Sequence, residues 1–360
     1  MRVVIAPDSF TGTLTAIEAA EAIATGWRAG RPDDELTVLP MSDGGDGFLD
    51  VIDLAISGRT SRLEVEVADP RGRPVDASLL VHGETAYVES AQACGLHHLA
   101  DRERDPLETT TYGVGQLLEV ARDTARRVVV GLGGSATVDG GAGALTALGF
   151  RLTVEDGSGL KIGGGELHRL AAIARPWVSD EWDDIELEVL ADVRTDLLDA
   201  PATFGPQKGA DRDGIARLER GLERFAEVVT RDLGADLRNE PGTGAAGGLG
   251  FGLVAGLGGR LVAGGPRVAR LIGLPAALDA ADLLVVGEGQ IDATSTQGKV
   301  VGTLLDLAAD HGVEVAAVTG RAAEIPDALM AVEPVTGGED VTPAVQRAAE
   351  RLAGRIGRTG

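Results

Sequence analysis

The sequence predicts an α/β protein of two domains, one assembled from both chain ends (1–60 and 281–360) and a second inserted between them (61–280). Three observations carry this. Apolar runs such as RVVIA and ADLLVVGEG alternate with loops and helical stretches, the β–loop–α repeat of a parallel sheet flanked by helices. Hydrophobic content of 44% comes with only 3% aromatics, so Val, Leu and Ala must fill the core, as buried parallel strands allow. Residues 62–90 change texture to period-two alternation around a Pro/Gly turn, which marks a different domain. At 360 residues the chain also exceeds one typical core.

The elements follow in order. RVVIA (2–6) is a first strand, and Thr15–Glu18 has the T-x-x-E form of a capping box, opening a helix through about Arg28. ELTVLPM (35–41) is a second strand, followed by the loop SDGGDG and a short helix over about 48–56. RLEVEVADPRGRPVDASLLVHGETAYVES (62–90) predicts an antiparallel hairpin and a third strand. A helix near 112–122, the strand RRVVVGL (126–132), a helix near 140–148 and the strand ELEVLADV (186–193) come next. In 242–265, Leu, Val and Phe interleave with glycine, so this stretch reads as packed loops and helix starts. ADLLVVGEG (281–289), a helix near 300–310, VEVAAVTG (313–320), VEPVT (332–336) and a helix over about 342–355 complete the set.

Composition narrows the function. With 56 Asp and Glu against 33 Lys and Arg, a formal charge of −23 argues against a nucleic-acid or anionic-membrane surface. A small anionic ligand remains compatible where positive groups gather locally. A single cysteine, Cys94, cannot close an internal disulfide, which favours a reducing compartment. MRVVIAPDSF is too short an apolar run for a signal peptide, and no stretch reaches the roughly 18 apolar residues of a membrane span. The expected location is the cytoplasm, and the oligomeric state is open, a homodimer included. Only three lysines occur, Lys161, Lys208 and Lys299. Where Arg is so favoured, a Lys is a candidate for work that the bulkier guanidinium cannot do; Lys161, in EDGSGLKIGGG, reads as chance.

In open α/β sheets ligands bind beyond the carboxyl ends of the strands, and the strand-end loops here share one chemistry. APDSFTGTLTA (6–16) carries Asp8, Ser9 and Thr11, and PMSDGGDG (40–47) carries Asp43 and Asp46. GLGGSATVDGG (131–141) offers Gly133 and Gly134 with Ser135, Thr137 and Asp139. Asp192 follows ELEVLA, and FGPQKGA (204–210) brings Lys208. GEGQIDATSTQGK (287–299) holds Glu288, Asp292, Thr294, Thr296 and Lys299. Any one loop could be a turn or a helix cap. Repeated carboxylates beside Ser, Thr, Lys and glycine instead fit phosphoryl transfer, which needs amides and Lys for phosphates, carboxylates for Mg²⁺, and one Asp to accept a hydroxyl proton. The sequence holds no H-E-x-x-H, no G-x-S-x-G elbow, no Walker A loop and no G-x-G-x-x-G after the first strand. His82, His97, His98, His168 and His311 show no ligand spacing.

Six motifs, APDSFTGTLTA, PMSDGGDG, GLGGSATVDGG, FGPQKGA, GTGAAGGLG and GEGQIDATSTQGK, occur in the order found in the bacterial glycerate kinases of the type I, two-domain family. The resemblance runs from about residue 3 to at least 320. It implies a Rossmann-like domain interrupted by a second α/β domain, with the active site in the cleft, and ATP-dependent phosphorylation of D-glycerate with Mg²⁺, usually at the 2-hydroxyl. On that reading Asp192, Asp8 and Lys208 are the catalytic candidates, with Asp192 favoured as proton acceptor. Ser9, Gly133, Gly134, Ser135, Thr137, Asp139, Glu288, Thr296 and Lys299 would bind substrate or phosphate, and Asp43 and Asp292 the metal. Two positions depart from the family pattern: Thr11 stands where Lys is common, and Val138 where Asn is common. A missing Lys at position 11 leaves its charge to be supplied elsewhere, for instance by an Arg. GLGGSA also looks like the phosphate loop of galactokinase- and homoserine-kinase-like enzymes, a reading that leaves the other five motifs unexplained. A non-catalytic anion sensor is the remaining alternative, favoured only by Thr11.

Overall fold

A computed structural model describes residues 1–10, 12–56, 58–176, 179–291, 300–322, 325–336 and 340–356. The chain forms two compact units: Met1–Asp43, Asp50–Ser57 and Gly264–Gly360 make the first, and Gly44–Leu49 with Gly58–Ala263 the second.

The first unit is built on five parallel strands in the order Leu329–Pro334, Glu314–Ala322, Leu283–Ile291, Arg2–Ile5 and Glu35–Val38. Val3 lies beside Leu283 and Ile5 beside Val285, so strands nearly 280 positions apart in sequence share the sheet centre. Helix Ala16–Gly30 starts at a full capping box: the Glu18 amide donates to Thr15 Oγ1 at 3.2 Å, and the Thr15 amide donates to the Glu18 carboxylate at 2.9 Å. Its apolar stripe, including Ala19, Ile23 and Trp27, joins Val345, Ala349 and Leu352 of helix Val341–Ile356 and the sheet residues Val3, Ile5 and Val318 in one buried cluster.

The second unit carries a six-stranded mixed sheet, ordered Arg260–Ala263, Glu186–Ala191, Arg127–Gly131, Thr85–Glu89, Pro74–His82 and Ser61–Ala68. The first four are parallel and the last two complete an antiparallel meander, as the alternation of 62–90 predicts. Helices Tyr112–Thr124, Ala142–Ala147, Arg212–Leu233 and Ala245–Leu257 contribute Leu117, Leu145, Phe225 and Phe251 to its core.

The unit boundaries differ from the expected ones in two places. Helices Gly264–Leu271 and Leu274–Leu278 belong to the first unit, so the chain returns at 264 rather than with the strand near 281. Gly264 explains the position of that return: a Cβ there would collide with the Asp43 carbonyl, so only glycine permits the close approach. Residues 44–49 group instead with the second unit, where the Leu49 amide donates to the buried Glu89 carboxylate at 3.1 Å.

Candidate active site

In the first unit the acidic candidates gather at the carboxyl ends of neighbouring strands. The loop after Arg2–Ile5 runs on beside Leu283–Ile291, with the Ala6 amide donating to the Val285 carbonyl and the Asp8 amide to the Gly287 carbonyl, both at 2.9 Å. The loop after Glu35–Val38 is tied alongside by the Met41 amide, which donates to the Pro7 carbonyl at 2.8 Å. Asp8, Asp43 and Glu288 are therefore electrostatic neighbours. Asp8 Oδ1 accepts from the Ser9 amide at 2.6 Å. Burial first, then the charge of Asp43, and more weakly that of Glu288, push the Asp8 carboxyl up to about 7 against the opposing Ser9 hydrogen bonds. Thr319, fully buried, donates its hydroxyl to the Glu288 carbonyl at 3.0 Å and fixes that strand end. Asp292, Thr296, Lys299 and Thr11 lie outside the described residues.

In the second unit the glycine-rich stretch leaves strand Arg127–Gly131 and folds back over residues 45–46. Gly134 adopts φ +56°, and a side chain there would strike the Asp46 carboxylate. The loop is pinned from the other side by the Leu96 amide on the Gly134 carbonyl (2.7 Å), the Ala136 amide on the Cys94 carbonyl (2.8 Å) and Thr109 Oγ1 on the Ala136 carbonyl (2.9 Å). Gly134 is exposed and Gly133 half-buried, while Ser135 lies just beneath.

Under this loop sits Lys208, only 3% exposed. Its Nζ donates to Ser135 Oγ and to the Thr137 carbonyl, each at 2.8 Å, and lies 5.7 Å from the Phe204 ring centroid. Burial pulls the ammonium down to about 8, while Asp139 acts the other way. The GTGAAGGLG motif supports the Lys208 acceptor from below, because Gly247 packs directly on the Thr137 carbonyl and accepts from the Gly140 amide at 3.1 Å.

Thr137 and Asp139, expected among the substrate- or phosphate-binding residues, have fully buried side chains. The Asp139 carboxylate accepts four donors: the Thr111 amide and hydroxyl at 2.9 Å each, the Gly141 amide at 3.1 Å and the Gly143 amide at 3.2 Å. With its lone pairs used inside the protein, it shapes the loop from beneath. Asp192 is half-buried just beyond strand Glu186–Ala191, which pairs with the strand that launches the glycine loop, Leu190 lying beside Gly131.

Several contributors were not singled out from sequence. Thr111 and Thr109 brace the loop, and their signal was the TTT run at 109–111, buried throughout. His97, exposed beside Gly95, has its ring 4.1 Å from that of His98. Partial desolvation of the ring and then His98 hold its pKa down, with Asp46 opposing. Cys94 is fully buried, and burial pushes its thiol up to about 12, so it stays protonated. Ellman's reagent should therefore label Cys94 only after denaturation; stoichiometric labelling of the native protein at pH 7.5 would contradict this placement.

Comparison with known proteins shows the family to which the chain belongs. The glycerate kinase family model matches residues 3–356. The chain is 38% identical to a glycerate kinase of Bacillus subtilis, covering 98% of this chain and 95% of the relative. It is 37% identical to the glycerate 2-kinase of Escherichia coli, over 89% and 85% of the two chains, and 40% identical to a glycerate kinase of Halalkalibacterium halodurans, over 88% and 85%. A crystal structure of a Salmonella typhimurium LT2 protein, provisionally described as glycerate kinase 2, superposes with a TM-score of 0.85 at 36% identity, covering 100% of this chain and 98% of the other. With a family model spanning nearly its whole length and relatives at this identity over most of both chains, the chain belongs to the glycerate kinase family.

Proposed function

We propose that the protein transfers the γ-phosphoryl group of ATP to the 2-hydroxyl of D-glycerate, giving 2-phosphoglycerate and ADP. The observation that carries this reading is the glycine-rich loop laid over the Lys208–Ser135 pair in a member of this family. Phosphoryl transfer is mostly positioning and charge compensation, and an anionic substrate needs a local positive site on a chain this acidic. The exposed Gly134 and the Ser135 hydroxyl offer that site to a carboxylate or phosphate oxygen.

Asp8, Asp43 and Glu288 fit a hard divalent cation, since they are neighbouring oxygen donors, with burial first and then the charges of Asp43 and Glu288 raising Asp8. Among the described residues no three His, Cys, Asp or Glu side chains enclose a metal ion by themselves. Mg²⁺ held by one or two carboxylates together with phosphate oxygens needs no such set. Asp43, with Asp292, would hold the ion, and bound Mg²⁺ would neutralise phosphate charge. Asp8 and Glu288 would keep that surface negative, and Ser9 would fix the Asp8 carboxylate through its amide.

Asp192 is the proposed acceptor of the glycerate hydroxyl proton. It is partly open and stands at the carboxyl end of its strand, where ligands of α/β sheets bind. Gly133 completes the loop backbone that faces the anion, with Thr296 and Lys299 on the nucleotide. No helix among the described residues is long and apolar enough to cross a membrane. The single free Cys94 supports a cytoplasmic setting.

A coupled ADP-release assay with ATP, Mg²⁺ and a panel of D-glycerate, homoserine and galactose tests the assignment. Turnover with D-glycerate alone is expected. Preference for homoserine or galactose would transfer the protein to another kinase class, and calorimetric binding of glycerate and ATP without ADP release would make it a sensor.

A further inference from the structure

The side chain of Lys208 is buried, yet the loop above it is where an anion would bind. A cation aimed at a ligand is usually placed so that its own N–H groups reach the ligand. Here two of the three are directed elsewhere, to Ser135 Oγ and the Thr137 carbonyl, and the side chain is 3% exposed. A serine hydroxyl has one proton to donate and lone pairs that accept. With a lone pair of Ser135 engaged by an ammonium, that proton points away from Lys208 and is left to be donated to another acceptor.

We propose that Lys208 is a positioning residue that acts through Ser135, its ammonium turning the serine hydroxyl into a committed donor to an anionic oxygen of the bound ligand. The inference rests on the glycerate kinase reading for the identity of that ligand, which is either the glycerate carboxylate or a phosphate of ATP. The chemistry is the same for both: a carboxylate or phosphate oxygen accepts from a hydroxyl polarised by a buried cation.

The surroundings of Lys208 keep this arrangement charged at neutral pH. Asp139 faces the ammonium and favours its protonated form, Cys94 faces it as a neutral thiol, the Phe204 ring lies beside it, and the Arg104 carbonyl packs on Gly209 while the Arg104 side chain pairs with Asp101. Desolvation still lowers Lys208 to about 8. Above that pH the neutral amine becomes an acceptor, and the Ser135 proton can turn inward to it. Ligand affinity should therefore fall as pH rises through about 8.

The test measures KM and kcat for D-glycerate and for ATP separately, together with dissociation constants by calorimetry, in wild type, Ser135→Ala, Lys208→Met and the double variant. Ser135→Ala is expected to weaken one of the two substrates by ~10–100-fold, mainly in KM, as loss of a hydrogen bond to a charged ligand does. The substrate affected identifies the oxygen's source. Lys208→Met in the Ser135→Ala background should cost less than threefold further, although it costs about as much as Ser135→Ala in wild type. Should Lys208→Met fail to fold, Ser135→Ala decides alone: the loss of affinity above pH 8 present in wild type should be absent from the variant. Losses that multiply in the double variant, unchanged substrate constants in Ser135→Ala, or an alkaline step retained by that variant would overturn the proposal. Absence of glycerate turnover in wild type would instead remove the functional reading while leaving calorimetric binding of inorganic phosphate to report on the Ser135–Lys208 pair.

Discussion

Asp192→Asn should lower kcat for glycerate phosphorylation by a factor of ~10²–10⁴, the range over which a positioned general base contributes. The asparagine amide keeps the size of the side chain but cannot take the hydroxyl proton. Because Asp192 is half-buried at a strand end and does not belong to the buried apolar core, folding should be nearly unaffected. Circular dichroism and a thermal melt on the same sample separate a catalytic loss from unfolding. Activity within threefold of wild type would remove Asp192 from the proton transfer and shift attention to Asp8.

The second large effect concerns stability. Asp139→Ala should destabilise the second unit by ~3–5 kcal/mol, the cost of removing one member of a buried charged network. Four donors, from Thr111, Gly141 and Gly143, lose their acceptor at once, and water has no route to a site with no exposure. Thr111 Oγ1 also accepts from the Ala144 amide at 3.0 Å, so the start of helix Ala142–Ala147 loses its brace as well. Burial outweighs the four donors and raises Asp139 above 3.8, its ordinary value. The native state then binds its proton more readily than the unfolded chain, so this residue's stabilisation declines as pH rises from the ordinary carboxylate range through the native pKa. Chemical denaturation at several pH values checks both statements. An Asp139→Ala midpoint equal to wild type, or an unchanged pH slope, would contradict the bracing role.

Local signals in the chain carried the fold well where propensity and packing agree. The T-x-x-E at Thr15–Glu18 became a two-way cap, and the alternation of 62–90 became strands Ser61–Ala68, Pro74–His82 and Thr85–Glu89. Helix Ala245–Leu257 was less legible because glycine opposes helix formation by about 1 kcal/mol per residue. Burial on nearly every side overrides that preference, and left-handed backbone at Ala246, Gly247 and Gly248 delays the regular turns. Helix Arg212–Leu233 has no counterpart among the expected elements, although Leu218, Leu222, Phe225 and Val229 carry helical spacing on its buried face.

The site divides in the same way. Strand-end position and residue type made Asp8, Asp43, Ser135 and Asp192 candidates, and the scarcity of lysine added Lys208. Depth was not legible. Nothing local distinguishes the Ser135 hydroxyl, just under the loop, from the Thr137 and Asp139 side chains sealed beneath it. The Lys208–Ser135 contact spans 73 positions of sequence, and the Thr111 contacts to Asp139 span 28, so both arise only from tertiary packing.

Phosphorus NMR of the product made from D-glycerate and ATP, recorded with proton coupling, tests the central claim most directly. Phosphate on the 2-oxygen has a single proton on the adjoining carbon, so the expected signal is a doublet accompanied by stoichiometric ADP. A triplet, from phosphate on the terminal CH₂ oxygen, would contradict transfer to the 2-hydroxyl, and no new phosphate ester at all would contradict the kinase itself.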